Sequence, residues 1–167
     1  MPRVLIRPPG TIYTVDRAVG RNAPNDRLDV LLVQFLLFLS TNNPWWDLGN
    51  SQPTLTVRRG MRVATPVFRS QATSKPTLSG THPKPQGDIV IDGICGDQTI
   101  RFIEYFQEQM QLYKFQECEL NGQVVPWRIM GALTIGLLNS GLSHLAQPPM
   151  LNQFGAFPNE LWDSFYL

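Results

Sequence analysis

The sequence predicts a mainly α-helical chain: a three-helix core carrying a short N-terminal β arm, a long proline-rich insertion with a β-hairpin, and a C-terminal aromatic tail. Three observations predict it. Residues 28–39, LDVLLVQFLLFL, are apolar at almost every position. Ile100, Ile103, Phe106 and Met110 follow a 3-3-4 spacing that puts them on one helical face. Residues 129–139, IMGALTIGLLN, form a third apolar run. At 167 residues the chain is one domain's worth, and a chain of this size buries about 70% of its unfolded surface without staples. Its segments are an arm at 1–25, a core at 26–40 and 88–140, the insertion at 41–87 and an extension at 141–167.

Each element has a local reason. In the arm, Val4, Ile6, Ile12, Tyr13 and Val15 alternate weakly between proline and glycine signals, so one or two short strands or an extended arm are expected. Asn25 or Asp26 caps the first helix. A helix apolar all round is buried on more than one side, which makes it either central or shared with a partner. The insertion holds Pro44, Pro53, Pro66, Pro76, Pro83 and Pro85, and within it LTVRRGMRVAT (55–65) alternates around Arg59-Gly60 as a hairpin does. Ile89 and Ile91 lead into the turn dipeptide Asp92-Gly93. Gly96 then precedes the second helix, whose first turn carries Asp97 where the helix dipole favours a negative charge. Leu120-Asn121-Gly122 repeats the turn chemistry, with Pro126 after it. The third helix is softened by Gly131 and Gly136. From Ser140 the chain is loop-like, through Pro148 and Pro149, and it closes on Phe154, Phe157, Leu161, Trp162, Phe165, Tyr166 and Leu167.

Composition narrows the function. Charged residues make up 16% against a usual figure of about 25%, and the net charge is +1, so no global field points to nucleic acid. Either the surface is built from neutral Asn, Gln, Ser and Thr, or a partner covers part of it. The small net charge hides an asymmetry. Arg58, Arg59, Arg62, Arg69, Lys75 and Lys84 face Asp47 alone within 40–87, whereas seven acids face only Arg101 and Lys114 within 88–120. The simpler reading pairs the two segments inside one fold; the sharper one offers the basic loop to an anionic partner. Cys95 and Cys118 make no disulfide framework and leave one bridge or two buried free thiols, the second being the plainer reading. The opening MPRVLIRPPG is too short in apolar residues for a signal peptide, and no run reaches the roughly 18–20 residues of a membrane span. The expectation is a soluble protein made in the bacterial cytoplasm.

Asp29-Val30, Val33-Gln34 and Leu37, followed by IDGICGDQTIRFIEYFQ (91–107), resemble the peptidoglycan-binding-like domain, a small three-helix module. Asp92, Gly93, Gly96, Thr99, Ile103, Phe106 and Gln107 stand in register with its central motif. Asn121-Gly122, Val124 and Pro126 resemble its second turn, and Thr134 with Leu138-Asn139 its last helix. The resemblance covers residues 19–40 and 88–140. The chain departs from the family in its roughly fifty-residue connection before Asp92, in Asn121 where the family has a second Asp, and in the distance from Pro126 to Thr134. The resemblance implies a non-catalytic module of the kind attached to cell-wall hydrolases and carried by phage and secretion proteins. The motif residues also have structural explanations: Asp92-Gly93 and Gly96 suit a turn and the start of a helix, and Ile103 and Phe106 suit a core.

Reactive groups are few. His82 and His144 are the only histidines, and no zinc-binding spacing, nucleophile elbow or phosphate loop occurs. Cys95 sits at a spacer position of the turn, where a small buried residue is expected rather than a nucleophile. Glu104 and Glu108 read as a solvated i, i+4 pair. No catalytic residue, metal or cofactor is expected. For glycan or peptide binding, the aromatic platforms are Trp45, Trp46, Tyr105, Tyr113 and Trp127, led by the Trp45-Trp46 doublet, since one small core does not bury two adjacent rings. Two functions follow. One is attachment of a phage, injection or secretion assembly to peptidoglycan or another bacterial wall polymer. The other is a structural protein–protein adaptor whose contacts include Phe157, Trp162, Phe165 and Tyr166.

Overall fold

The weak alternation at the start of the chain forms an antiparallel hairpin, β1 (Arg3–Arg7) with β2 (Gly10–Thr14), in which Arg3 faces Thr14 and Arg7 faces Gly10. The computed structural model describes residues 2–7, 10–42, 80–113, 115–127, 133–145, 158 and 160–161. The Trp45-Trp46 doublet, the expected hairpin at 55–65 and most of the aromatic tail lie outside these residues. A second small sheet pairs β3 (Val19–Gly20) antiparallel with β4 (Gln123–Val124). The three described helices are α1 (Arg27–Asn42), α2 (Asp97–Tyr113) and α3 (Leu133–Leu145). They hold most of the regular structure among the described residues, which are mainly α. None is long and apolar enough to cross a membrane.

Of the two roles open to an all-round apolar helix, α1 takes the central one. Val30, Val33, Phe35 and Leu37 are fully buried, and the helix packs against both α2 and α3. Phe102, Ile103, Phe106 and Met110 of α2 and Ile135 and Leu138 of α3 complete the same cluster. Each such side chain contributes about 1.5–3 kcal/mol by leaving water. Helix α2 starts at Asp97 as its sequence predicts. Helix α3 does not stop where expected: it runs through Ser140 and Gly141 to Leu145, placing His144 inside its last turn. Ile135, Leu138, Leu142 and Leu145 keep helical spacing, and the Pro148-Pro149 pair follows them in the sequence. Gly136 has a packing reason as well. A Cβ there would meet the Trp127 ring at 2.4 Å, so the missing side chain lets the indole lie on the helix.

Two buried glutamines tie the helices to the turns. Gln34 Oε1 accepts from the backbone amides of Asp92 (3.0 Å) and Gly93 (2.8 Å). Its Nε2 donates to Asp92 Oδ1, to the Ile94 carbonyl and to Thr99 Oγ1. Gln107 repeats the arrangement at the second turn: Oε1 accepts from the amides of Asn121 (3.1 Å) and Gly122 (2.9 Å), and Nε2 donates to Asn121 Oδ1, the Gln123 carbonyl and Thr134 Oγ1. In each unit the Asp or Asn oxygen also accepts from the amide two residues on, Ile94 or Gln123. Only that one acceptor oxygen is used, so Asn121 serves as well as an aspartate.

The turn glycines are required by geometry. Gly93 and Gly122 have φ of +79° and +73°. Above Gly93 lies Arg27, which donates to the Asp92 carbonyl and is held in turn by Glu160. Arg21 with its partner Glu104 covers Gly122 in the same way. Gly96 is a different case from the one its motif position suggests. It has open space where a Cβ would go, and its carbonyl simply accepts the first α2 bond from Ile100.

Other polar side chains act inside too. Asn139 accepts from the Tyr13 amide (2.7 Å) and donates to its carbonyl (2.8 Å), standing in for a strand beside β2. Asp29, fully buried, accepts from the amides of Asp16 and Arg17. Burial pushes its carboxyl up, against the pull of those two amides.

Two tests follow from this architecture. A glutamate in place of either glutamine keeps the acceptor and loses the donor, and at position 34 it also meets the Asp92 carboxylate. Q34E therefore destabilises more than Q107E in urea unfolding at pH 7, the former by about 3 kcal/mol or more, the scale of several lost buried hydrogen bonds. Equal losses would contradict the described donors. G93A costs about 1–2 kcal/mol for the left-handed backbone alone, and G96A costs less.

Candidate functional site

The part of the insertion that is described, residues 80–87, crosses the exposed side of α2. Gly80 lies so close to the helix that a Cβ would meet the Glu108 carboxylate at 2.2 Å. Next along, the Thr81 amide and hydroxyl donate to Glu108 Oε2, at 3.0 and 2.6 Å. The His82 amide donates to Oε1 at 2.7 Å, and its Nδ1 lies 3.1 Å from Oε2. Glu108 is therefore no solvated helix acid: it is buried, and it pins this strap. Burial pushes its carboxyl up, but the hydrogen bonds from Thr81 and His82 outweigh burial and bring it down to about 2. Its i−4 neighbour Glu104 is mostly covered and pairs with Arg21 at 2.7 Å.

Beyond the pin, the strap stands off the helix. Residues 81–86 on one side and Arg101 and Glu104 on the other line a cleft of about 460 Å³. Pro83 and Pro85 fix the backbone on either side of Lys84, since each ring locks φ near −65°. The charge of the cleft follows from its pairings. Arg3, Arg17, Arg21 and Arg27 are each in an ion pair. Lys84 and Arg101, by contrast, have no acid within ion-pair distance among the described residues, and both line this cleft. The acid that lines it is Glu104, engaged by Arg21, while Glu108 under the strap is engaged by Thr81 and His82. The opposite charges of insertion and helix thus do not cancel directly where they are described. Arg58, Arg59, Arg62, Arg69 and Lys75 lie outside the described residues.

The aromatic platforms are not brought together. Tyr105 is 2% exposed and belongs to the interior, which removes it as a stacking surface. Tyr113, half-buried, lies with its ring 6.1 Å from that of Phe115. Trp127 is half-buried against Gly136, so part of its ring is committed to packing. Trp45 and Trp46 lie outside the described residues, as do Phe157, Trp162, Phe165 and Tyr166. The described part of the extension folds back onto the chain: Leu161 is fully buried, and Glu160 receives two hydrogen bonds from Arg27. Both cysteines are free, Cys118 buried and Cys95 half-buried, and burial pushes both thiols up, that of Cys118 to about 11. Among the described residues no three metal-ligating side chains gather.

Lys84 and Arg101 belong to no aromatic platform and no motif, so the sequence does not single them out. The signal that points to them is the charge reversal between the insertion and the acidic helix, read together with the Pro-Lys-Pro run at 83–85. Comparison of the chain with family models, with curated proteins and with solved structures gives no match.

The strap binds the ionised form of Glu108, so its attachment is complete above the ordinary glutamate value of 4.5 and is lost as the pH falls toward 2. Urea unfolding of wild type and E108Q across this range is expected to show wild type more stable at pH 7, with the difference shrinking between pH 4.5 and 2. A difference independent of pH would contradict the charge-assisted pin.

Proposed function

We propose that this chain is a non-catalytic peptidoglycan-binding-like module that attaches a phage, injection or secretion assembly to bacterial cell wall. One observation carries the reading. The positions on which the resemblance rests, Gln34 with Asp92, Gly93 and Thr99, and Gln107 with Asn121, Gly122 and Thr134, are those that close the two turn units between helices. A match of motif residues alone could be coincidence of composition; residues that also perform one shared geometric task twice argue for a module built on that plan. Two of this chain's departures from the family fall where the plan allows them. Asn121 supplies the one oxygen needed, and the long connection leaves α1 after its last turn and returns over α2 before Asp92.

Wall contact in this reading does not depend on stacked rings, since Tyr105 is interior and Trp127 is partly committed to α3. Polar groups on the exposed side of α2 are the available contacts, with Trp45 and Trp46 as further ones. The test is sedimentation of the full chain with purified sacculi stripped of teichoic acid. Co-sedimentation at low salt is expected; a chain that stays in the supernatant would contradict the reading.

The adaptor reading has its own observation. Val90 and Ile94, on either side of the first turn, are 54% and 66% exposed, an apolar surface that wall polymer does not need. Under that reading V90D and I94D disperse an assembled species in size-exclusion chromatography, and sacculi are not bound.

A further inference from the structure

We propose that the cleft between residues 81–86 and α2 is an anion subsite that takes a carboxylate of the wall stem peptide between Lys84 and Arg101. The ligand's source rests on the wall-binding reading; the charge of the site does not.

In a chain with few charges, cations without acidic partners are costly to place together, because each repels the other and neither gains an ion pair. Four arginines elsewhere each have an acid: Arg3 with Asp16, Arg17 with Asp26, Arg21 with Glu104 and Arg27 with Glu160. Lys84 and Arg101 do not, and they line one concave surface from opposite elements. Glu104, the acid that lines the cleft, is already used, as is Glu108 under the strap. Glu108 receives its hydrogen bonds from Thr81 and His82, and Glu104 holds Arg21. The uncompensated charge in the cleft is therefore positive.

The site is also built in advance. The four contacts into Glu108 and the close approach of Gly80 to α2 fix the near end of the strap, and two prolines bracket Lys84. A ligand arriving there meets side chains on a held backbone, which lowers the ordering cost of binding. Guanidinium presents a planar fork that matches a carboxylate with two parallel hydrogen bonds, and a lysine supplies a second, adaptable charge. Gln86, on the same wall, adds an amide that can donate or accept beside the anion. A space of about 460 Å³ admits a short peptide segment but not a folded protein surface. A short, hydrogen-bonding peptide bearing carboxylates is what the stem of wall polymer offers. The strap belongs to the long connection that departs from the family's pattern, so the subsite is this chain's own.

The experiment is a titration of the full ¹⁵N-labelled chain with N-acetylmuramoyl-L-alanyl-D-isoglutamine, followed by amide shifts, with glycerol phosphate as a parallel arm. Saturable shifts are expected at Thr81, His82, Lys84, Gln86 and Arg101, with roughly tenfold weaker binding in K84A and in R101A, the scale of one charge-assisted hydrogen bond. R17A, whose side chain is exposed away from the cleft, serves as the control and binds as wild type. Equal urea midpoints for K84A, R101A and wild type establish that the variants fold. Absence of shifts in 81–86, or unchanged affinity in both cleft variants, would overturn the subsite. Saturation by glycerol phosphate but not by the muramyl peptide would overturn the carboxylate assignment. Sacculus sedimentation separates the two claims. Sacculi bound with a silent cleft leave wall attachment standing and remove the subsite. A responsive cleft in a chain that does not sediment removes wall attachment and keeps the subsite.

Discussion

The fold depends on a primary amide buried at the end of a helical side chain. A turn that passes between helices exposes backbone amides and carbonyls to an apolar interior, where an unsatisfied group costs roughly 1–3 kcal/mol. Gln34 and Gln107 each answer several of these groups at once, because one amide carries an acceptor and two donors in a fixed plane. Each also reaches the threonine of the following helix, Thr99 or Thr134, so helix, turn and next helix share one hydrogen-bonded centre. No other neutral side chain of similar size offers this combination. The glycines at 93 and 122 complete it by letting the backbone turn its amides inward.

The same chemistry explains the low charge. The composition leaves a choice between a neutral polar surface and one covered by a partner, and the structure adds a third place for the amides. Gln34, Gln107 and Asn139 are buried, so part of the neutral polar complement is interior and serves backbone groups. Two of the ion pairs stand at the turns, Arg27–Glu160 over the first and Arg21–Glu104 over the second. Against a total stability of about 5–15 kcal/mol, two such centres are a large share of what holds the chain folded. Their near-equivalence means that α2 takes part in both, through Thr99 at its start and Gln107 near its middle.

Helix positions were largely legible in the sequence, because periodicity and turn residues report local geometry. The apolar 28–39 run, Asp97 at the start of α2 and the two x-Gly turns all stand where their residues predict. The end of α3 was not legible: Ser140-Gly141 looks like a stop, yet the apolar spacing on either side carries the helix to Leu145. Long-range pairing was hidden too. Nothing near Glu108 reveals that Thr81 and His82, more than twenty residues earlier, will occupy its oxygens, so a buried pin reads as a solvated helix acid. Exposure is equally a tertiary property, and Tyr105 therefore looked like a platform while belonging to the interior. The charge reversal along the chain held the cleft's signal, but only three-dimensional pairing shows which cations remain without an acid.

In the proposed reading, function divides between a frame and a surface. The two glutamine centres are the frame, and they explain why the motif residues are where they are without a ligand. The strap from the long connection supplies the surface, pinned at Glu108 and open between Lys84 and Arg101. The frame is the central claim, and amide hydrogen exchange at each turn tests it most directly. If the glutamine centres hold the fold, the Gly93 and Gly122 amides, although in turns, exchange as slowly as the core amides of α1, through global unfolding alone. Exchange at the rate of the nearby open turn at Gly87 would contradict the account.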